Sequence, residues 1–345
     1  MSVLPVITAI GGISAAGRSS CHQGYRRLVE STIAADKRSA MLQSLSALTG
    51  TSDEQALLDA TLVRRMENGV LDPLAFPVSV AANSDSALSL TVRNMDLPQP
   101  LPDGWEVQPL DRSRSIVRMP ADQRLLAPAS YESRVQAAGQ LPTGFDPGEH
   151  YNSRNHPRGL QMTVYAASDA LGMMGLDWQT LRQQIPPEQI SVYASSAMSQ
   201  LDDCGTGGMM KSPAIGKRIT SKQCPLGLAN MPADFINAYL LGSVGRTGGM
   251  LGACATFLYN LSLAVADIRS GRARLALVGT AEAPLVAEVI EGYRAMGALA
   301  EDEELLKLDP DRDTPDWRRA CRPFGFNCGF TMSESAQCVV VMDDS

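Results

Sequence analysis

Histidine is scarce in this chain: 345 residues contain only His22, His150 and His156. Nothing after His156 can act as an imidazole acid, base or metal ligand. Cysteine pairs at Cys-x-x-Cys spacing are also missing. The seven cysteines (Cys21, Cys204, Cys224, Cys254, Cys321, Cys328, Cys338) are odd in number and sit mostly in apolar surroundings, which argues against a disulfide framework or a zinc site. Positive charge is in deficit, with 30 Lys and Arg against 37 Asp and Glu and a net charge of -7. A bulk electrostatic grip on nucleic acid or anionic lipid is therefore not expected. No apolar run approaches the roughly 18 residues of a membrane span. The apolar opening, Met1 to Ile10, lacks a basic leader and a small-residue cleavage site. These absences point to a cytoplasmic protein with neither metal nor cofactor.

The chain does have enough apolar material for a core, at 44% hydrophobic and 19% charged residues. Leu4 to Ile10 reads as a strand running into Gly11-Gly12, and Gly17-Arg18-Ser19-Ser20 then opens a helix to about Glu30. From residue 31 to 150 the texture changes. Polar helical stretches over 35–48 and 53–67 precede a Pro-rich run at 97–104, and strand-like pieces fall at 88–93 and 115–119. We expect an inserted α+β or capping subdomain over 31–150, set into an α/β domain formed by 1–30 and 151–345. Beyond 150 the spacing predicts a helix from Leu160 to Met174, a strand at 190–194, a glycine-rich polar stretch to Gln223, and a helix near 231–241. A helix then follows Cys254, with strands at 275–278 and 337–342. Strands alternating with helices predict a mainly parallel, helix-covered sheet.

The segment Gly248-Gly-Met-Leu-Gly252 leads to Cys254, and Cys254, Phe257, Leu258, Leu261, Val265 and Ile268 form one helical face. A thiol on the first turn of a helix, just after a glycine-bearing strand end, is exposed at the edge of a sheet. The helix N-terminus favours its thiolate, and the same backbone N–H groups can hold the oxyanion formed when that thiolate attacks a thioester. The plainer alternative is a small buried cysteine packing the strand–helix junction.

The order of motifs around Cys254 resembles the N-terminal half of the β-ketoacyl-ACP synthases, and most of all their long-form, FabY-like bacterial members. In that family a Thr-Ala-Cys-Ser/Thr-Ser turn carries the nucleophile. A Val-Ala-Gly-Gly-x-Glu strand end, an Arg-Ala-Leu-Ser-like segment, Arg-Pro-Phe-Asp and Gly-Phe-Val-x-Gly-Glu-Gly-Ala follow it. This chain has Ala253-Cys254-Ala255-Thr256, Ala281-Glu282-Ala283, Gly292-Tyr-Arg-Ala-Met-Gly-Ala-Leu299, Cys321-Arg-Pro-Phe-Gly325 and Gly329-Phe-Thr-Met-Ser-Glu-Ser-Ala336 in the same order. Ile10-Gly-Gly-Ile-Ser-Ala-Ala-Gly17 is similar to the family's opening glycine turn, and Asn230-Met231 to the pair before its central helix. The resemblance covers 1–30 and about 150–345, and departs from the pattern at Ala255-Thr256, Ser333 and Ser335.

The resemblance implies one half of a thiolase-type α/β fold and a β-ketoacyl-ACP synthase activity. Cys254 is then the nucleophile, and Met198 lines the acyl pocket. Arg154 and Arg158 lie where the family meets its acyl carrier protein, an acidic partner that needs a basic patch. Lys211, Lys217, Arg218 and Lys222 form a second local basic cluster. A homodimer is also implied. The family's remaining histidines and lysine belong to a second half, so condensation by this polypeptide alone is not expected. A non-catalytic ketosynthase-like subunit or scaffold that works with a partner half is the alternative. A dinucleotide-binding reading of Gly11-Gly12-x-x-x-x-Gly17 leaves Cys254 unexplained, and the motif order favours carrier-dependent condensation over a degradative thiolase.

Overall fold

The computed structural model describes residues 3–345. They form two compact units: one runs through Leu71 and resumes over Arg134–Ser345, and the other is Asp72–Ser133. The smaller unit lies within the stretch set apart by its sequence texture, and the helices Ala35–Thr49 and Glu54–Asp59 belong to the larger one.

At the centre of the larger unit is a six-stranded sheet. Its strands lie side by side in the order Thr247–Gly248, Ile190–Ser195, Leu275–Glu282, Ser335–Met342, Val6–Ser14, Gly17–Arg18. The first three are parallel, and every other pairing is antiparallel. The expected mainly parallel sheet is thus corrected to a mixed one. A parallel neighbour requires a crossover that carries the chain back to the starting edge. The connection after Glu282 does not make that return. The last strand starts at the edge where Leu275–Glu282 ends, pairing Glu282 with Ser335 and Leu275 with Met342.

Both faces of the strand Leu275–Glu282 are covered, which explains its unbroken apolar run Leu275–Val278, whereas Val6, Ile7 and Ile10 of the strand Val6–Ser14 are exposed. Leu275 and Leu277 pack on one side with Ile13, Ala166 and Ile236, beneath the helices Arg158–Met173 and Met231–Ile236. Ala276 and Val278 pack on the other with Ala264 and Ile268 of the helix Thr256–Arg269. Full burial of each such leucine or isoleucine contributes about 1.5–3 kcal/mol. Gly11 permits the first strand to touch the 158–173 helix, since a Cβ there would stand 2.4 Å from the Cα of Ala170.

The helix expected over 53–67 is shorter. Asp53 caps it by accepting the Ala56 N–H at 2.7 Å, but it stops at Asp59. Leu62 is left-handed at φ 64°, and Val63–Arg65 pairs instead with Ala137–Gly139. The smaller unit contains a ribbon of Phe76–Ser84 against Gln123–Tyr131 and a three-stranded sheet of Leu88–Arg93, Arg114–Met119 and Glu106–Pro109. No helix among the described residues is long and apolar enough to cross a membrane.

Candidate active site

The parallel strands 190–195 and 275–282 end at one edge of the sheet, and the antiparallel strand 335–342 begins there. Ligands of open α/β sheets gather at such carboxyl ends. The loop carrying Cys254 is built at this edge. Ala253 enters the left-handed region at φ 48°, a conformation that costs a residue with a Cβ about 1–2 kcal/mol. A single tight turn, Ala253–Ala255, then leads into the helix Thr256–Arg269, so Cys254 sits just ahead of the α-helix proper and is exposed.

Two side chains of that helix hold the turn. Thr256 Oγ1 donates to the Ala253 carbonyl at 2.7 Å and accepts the Gly252 N–H at 3.1 Å. Asn260, fully buried, accepts the Met250 N–H at 2.8 Å and donates to Ser195 Oγ at 2.9 Å. The Ser195 hydroxyl in turn donates to the Met250 carbonyl at 2.8 Å. The loop before Cys254 is therefore fastened both to its own helix and to the end of a central strand. Gly252 has no room for a side chain, because a Cβ would lie 2.0 Å from the Tyr259 ring.

Cys254 lines a cavity of about 410 Å³ together with Met198, Phe257, Pro284, Phe330 and Thr331. That volume falls within the range of small-molecule sites. Glu282 also lines it. Its carboxylate accepts the Ala197 N–H at 2.5 Å and the Ser196 hydroxyl at 3.0 Å, and burial is the main cause of its raised pKa.

The structure brings Met198 to the Cys254 cavity, half-buried. Arg154 and Arg158 are not among the residues lining that cavity, and the two differ in environment. Arg154 is exposed and makes no ion pair among the described residues. Arg158 closes on Glu334 through both Nε and Nη2, the latter at 3.1 Å, and Glu334 is 1% exposed. The charge expected to face a partner is thus engaged inside the fold, because a buried carboxylate requires a cation beside it. Lys211 pairs with Glu288 at 2.9 Å, whereas Lys217, Arg218 and Lys222 are exposed without an ion pair among the described residues.

The histidines lie elsewhere. His22 is exposed in a left-handed conformation, and His150 packs against Phe145 and Tyr165. His156 sits among Tyr151, Phe235 and Tyr239, with its pKa lowered first by burial. Sequence reasoning quoted Glu282 and Thr331 as parts of motifs but assigned them no role, and missed Asn260. Their partners come from loops and strand ends distant in sequence, or are lacking altogether, so no local pattern marked them.

Comparisons with known proteins bear on the family and the fold. The family model for the β-ketoacyl synthase N-terminal domain matches residues 105–345. The β-ketoacyl-[acyl-carrier-protein] synthase FabY of Pseudomonas aeruginosa is 46% identical over the whole of this chain, which spans 58% of that protein's length. The crystal structure of that noncanonical ketosynthase superposes on all of this chain with a TM-score of 0.93 and 45% identity, again over 58% of its own length. A 3-oxoacyl-[acyl-carrier-protein] synthase 2 from Staphylococcus aureus is 24% identical over 60% of this chain and 48% of its own. A β-ketoacyl synthase from Burkholderia phymatum matches with a TM-score of 0.56 and 18% identity, over 99% of this chain and 59% of its own, a likeness of fold alone. The fold is thiolase-like.

Proposed function

The chain belongs to the β-ketoacyl synthase family, and from that premise we propose that it carries the nucleophile of a β-ketoacyl-ACP synthase of fatty acid synthesis. The observation that supports this most directly is Cys254, exposed on a left-handed elbow and lining a cavity of about 410 Å³ at the carboxyl edge of the sheet.

In this reading the Cys254 thiolate attacks the carbonyl of an acyl thioester. The new C–S bond holds the acyl group, and the carrier or coenzyme leaves as a thiol. The oxygen that gains charge in that step needs donors, and the Ala255 and Thr256 N–H groups already donate to the Gly252 and Ala253 carbonyls. Malonyl on an acyl carrier protein then loses carbon dioxide to give an enolate. Its carbon attacks the Cys254 thioester, forming the 3-oxoacyl product and returning the thiolate. The enolate oxygen requires donors, and no imidazole is among the residues lining the cavity. The cavity residues of this chain thus account for acyl transfer to sulfur, while the condensing step needs groups outside that set.

Met198 limits how far the acyl chain extends, since it forms part of the cavity wall that Cys254 also lines. The acidic carrier docks on exposed positive charge, for which Arg154, Lys217, Arg218 and Lys222 make no ion pair among the described residues, while Arg158 is held by Glu334. A homodimer is consistent with the edge strand Thr247–Gly248, whose outer side is unpaired among the described residues. Seven cysteines without a disulfide fit a reducing, cytoplasmic setting.

Incubation with an acyl thioester followed by peptide mass spectrometry tests the proposal. The expected result is a thioester adduct on the Cys254 peptide that Cys254→Ala abolishes. Absence of an adduct, or one confined to another cysteine, would overturn it.

A further inference from the structure

A second cavity, of about 610 Å³, shares no lining residue with the one at Cys254. It lies against the helix Arg158–Met173. Ala166 and Ala170 of that helix pack on the sheet, while Tyr165, Ser168, Asp169 and Gly172, at helical spacings of three and four, border the cavity. Ser44, Ala47 and Leu48 of the helix Ala35–Thr49 border it with the same spacing. Most of these side chains are small, and a Cβ built on Gly172 meets nothing within 4 Å.

Two chemistries meet at the cavity wall. The first is aromatic: Tyr165 stands edge-on to His150 at 5.4 Å and Tyr151 edge-on to Tyr239 at 5.1 Å, and all four rings border the cavity. The second is one exposed guanidinium. Arg18 donates through Nε to Asp169, whose oxygens also accept the Ser20 hydroxyl and the N–H groups of Gly12 and Ser20. These donors use all the lone-pair sites of the buried carboxylate, so Asp169 fixes Arg18 and takes nothing more. Nη1 and Nη2 of Arg18 make no hydrogen bond among the described residues.

We propose that this cavity is a binding site for a small aromatic carboxylate, with its ring among the tyrosines and its carboxylate on Nη1 and Nη2 of Arg18. The planar guanidinium offers two N–H groups end-on to the two carboxylate oxygens. A monoanion suits the site better than a phosphate, because its one guanidinium is already shared with Asp169. An aromatic body gains edge and stacking contacts with the rings that a saturated one lacks. The site is independent of the acyl chemistry at Cys254.

Calorimetric titration of the full chain with 2-naphthoate and with the neutral, nearly isosteric 2-naphthamide tests the assignment. The native protein is expected to bind the carboxylate about tenfold or more tightly than the amide, the lower end of what a hydrogen bond to a charged group contributes. Arg18→Gln, which keeps a donor for Asp169, is expected to make the two affinities equal. Gly172→Phe places a ring in the open volume and is expected to abolish binding of both compounds. Its melting temperature should not fall, since phenylalanine forms helix better than glycine. Absence of saturable binding, equal affinities in the native protein, or a preference for the carboxylate that survives in folded Arg18→Gln overturns the proposal. So does undiminished binding by Gly172→Phe, which would place the compound elsewhere on the chain.

Discussion

Glu282 accepts the backbone N–H of Ala197 at 2.5 Å, joining the ends of two parallel strands just past their last paired residues, Ser195 and Thr280. Its other oxygen accepts the Ser196 hydroxyl, so one carboxylate holds the two residues that precede Met198. A side chain at the end of one strand thereby fixes the wall contributed by its neighbour. Burial opposes the charge on this carboxylate, and its pKa lies above the usual range for a glutamic acid.

The sign of the resulting pH dependence follows from linkage. The folded state binds the Glu282 proton more tightly than the unfolded chain does, so the contribution to stability is fully present below the ordinary carboxyl value of about 4.3 and is lost as pH rises through the raised value. Relative to Glu282→Gln, the native protein should lose melting temperature over that interval. Gln can still accept the Ala197 N–H and donate to Ser196 Oγ, so the turn persists in this variant. Glu282→Ala should loosen it and broaden the range of alkyl lengths accepted at Cys254. Parallel melting curves for the native and Gln proteins across this interval would contradict the assignment.

Arg154 and Arg158 should separate cleanly. Removing the Arg158 guanidinium leaves Glu334 buried without its cation, and breaking such a pair costs about 3–5 kcal/mol. Urea unfolding of Arg158→Ala should show a loss of this order, partly recovered by adding Glu334→Gln. Arg154→Glu should leave the unfolding midpoint within about 0.5 kcal/mol of native, as expected for an exposed site. Its effect should fall on carrier association, which slows and becomes less dependent on salt. An Arg154 variant with native association kinetics at low salt would remove that residue from the docking surface.

Asn260→Ala strips the partner from the Met250 N–H and from Ser195 Oγ together. Leaving a buried donor unsatisfied costs about 1–3 kcal/mol, and the loop before Cys254 keeps only the Ser195 hydroxyl bond to the Met250 carbonyl of this three-residue network. Lower stability in urea and a several-fold slower adduct at Cys254 should appear together. A slower adduct with unchanged stability would mean that Asn260 acts on the reaction other than through the loop.

The strand, glycine turn and cysteine helix were readable in the sequence because their signals are local: apolar spacing around Phe257, Leu261 and Ile268, and glycines where backbones meet. The sheet's direction was not readable. Whether Ser335–Met342 runs parallel depends on where the preceding connection delivers the chain, and residue spacing holds no record of that. The ribbon 76–84 with 123–131 escaped notice because most residues on both strands are exposed, which erases the two-residue alternation that reveals a half-buried strand. Arg158 read as a surface charge because its partner lies 176 residues away.

Ala253 offers the sharpest test of the elbow. Its φ of 48° costs an alanine about 1–2 kcal/mol, whereas glycine occupies that region freely. Ala253→Gly removes the strain but adds freedom to the unfolded chain, so a net stabilisation of up to about 1 kcal/mol is expected. If strain at this turn serves to hold the thiol in place, the same variant should acylate Cys254 more slowly, because the loosened turn samples other orientations. Greater stability with slower acylation is the expected pair of results, read from urea unfolding and from adduct formation on one preparation. Greater stability with an undiminished rate would mean that the hydrogen bonds from Thr256 and Asn260 hold the thiol and that the left-handed turn is only how the chain reaches it.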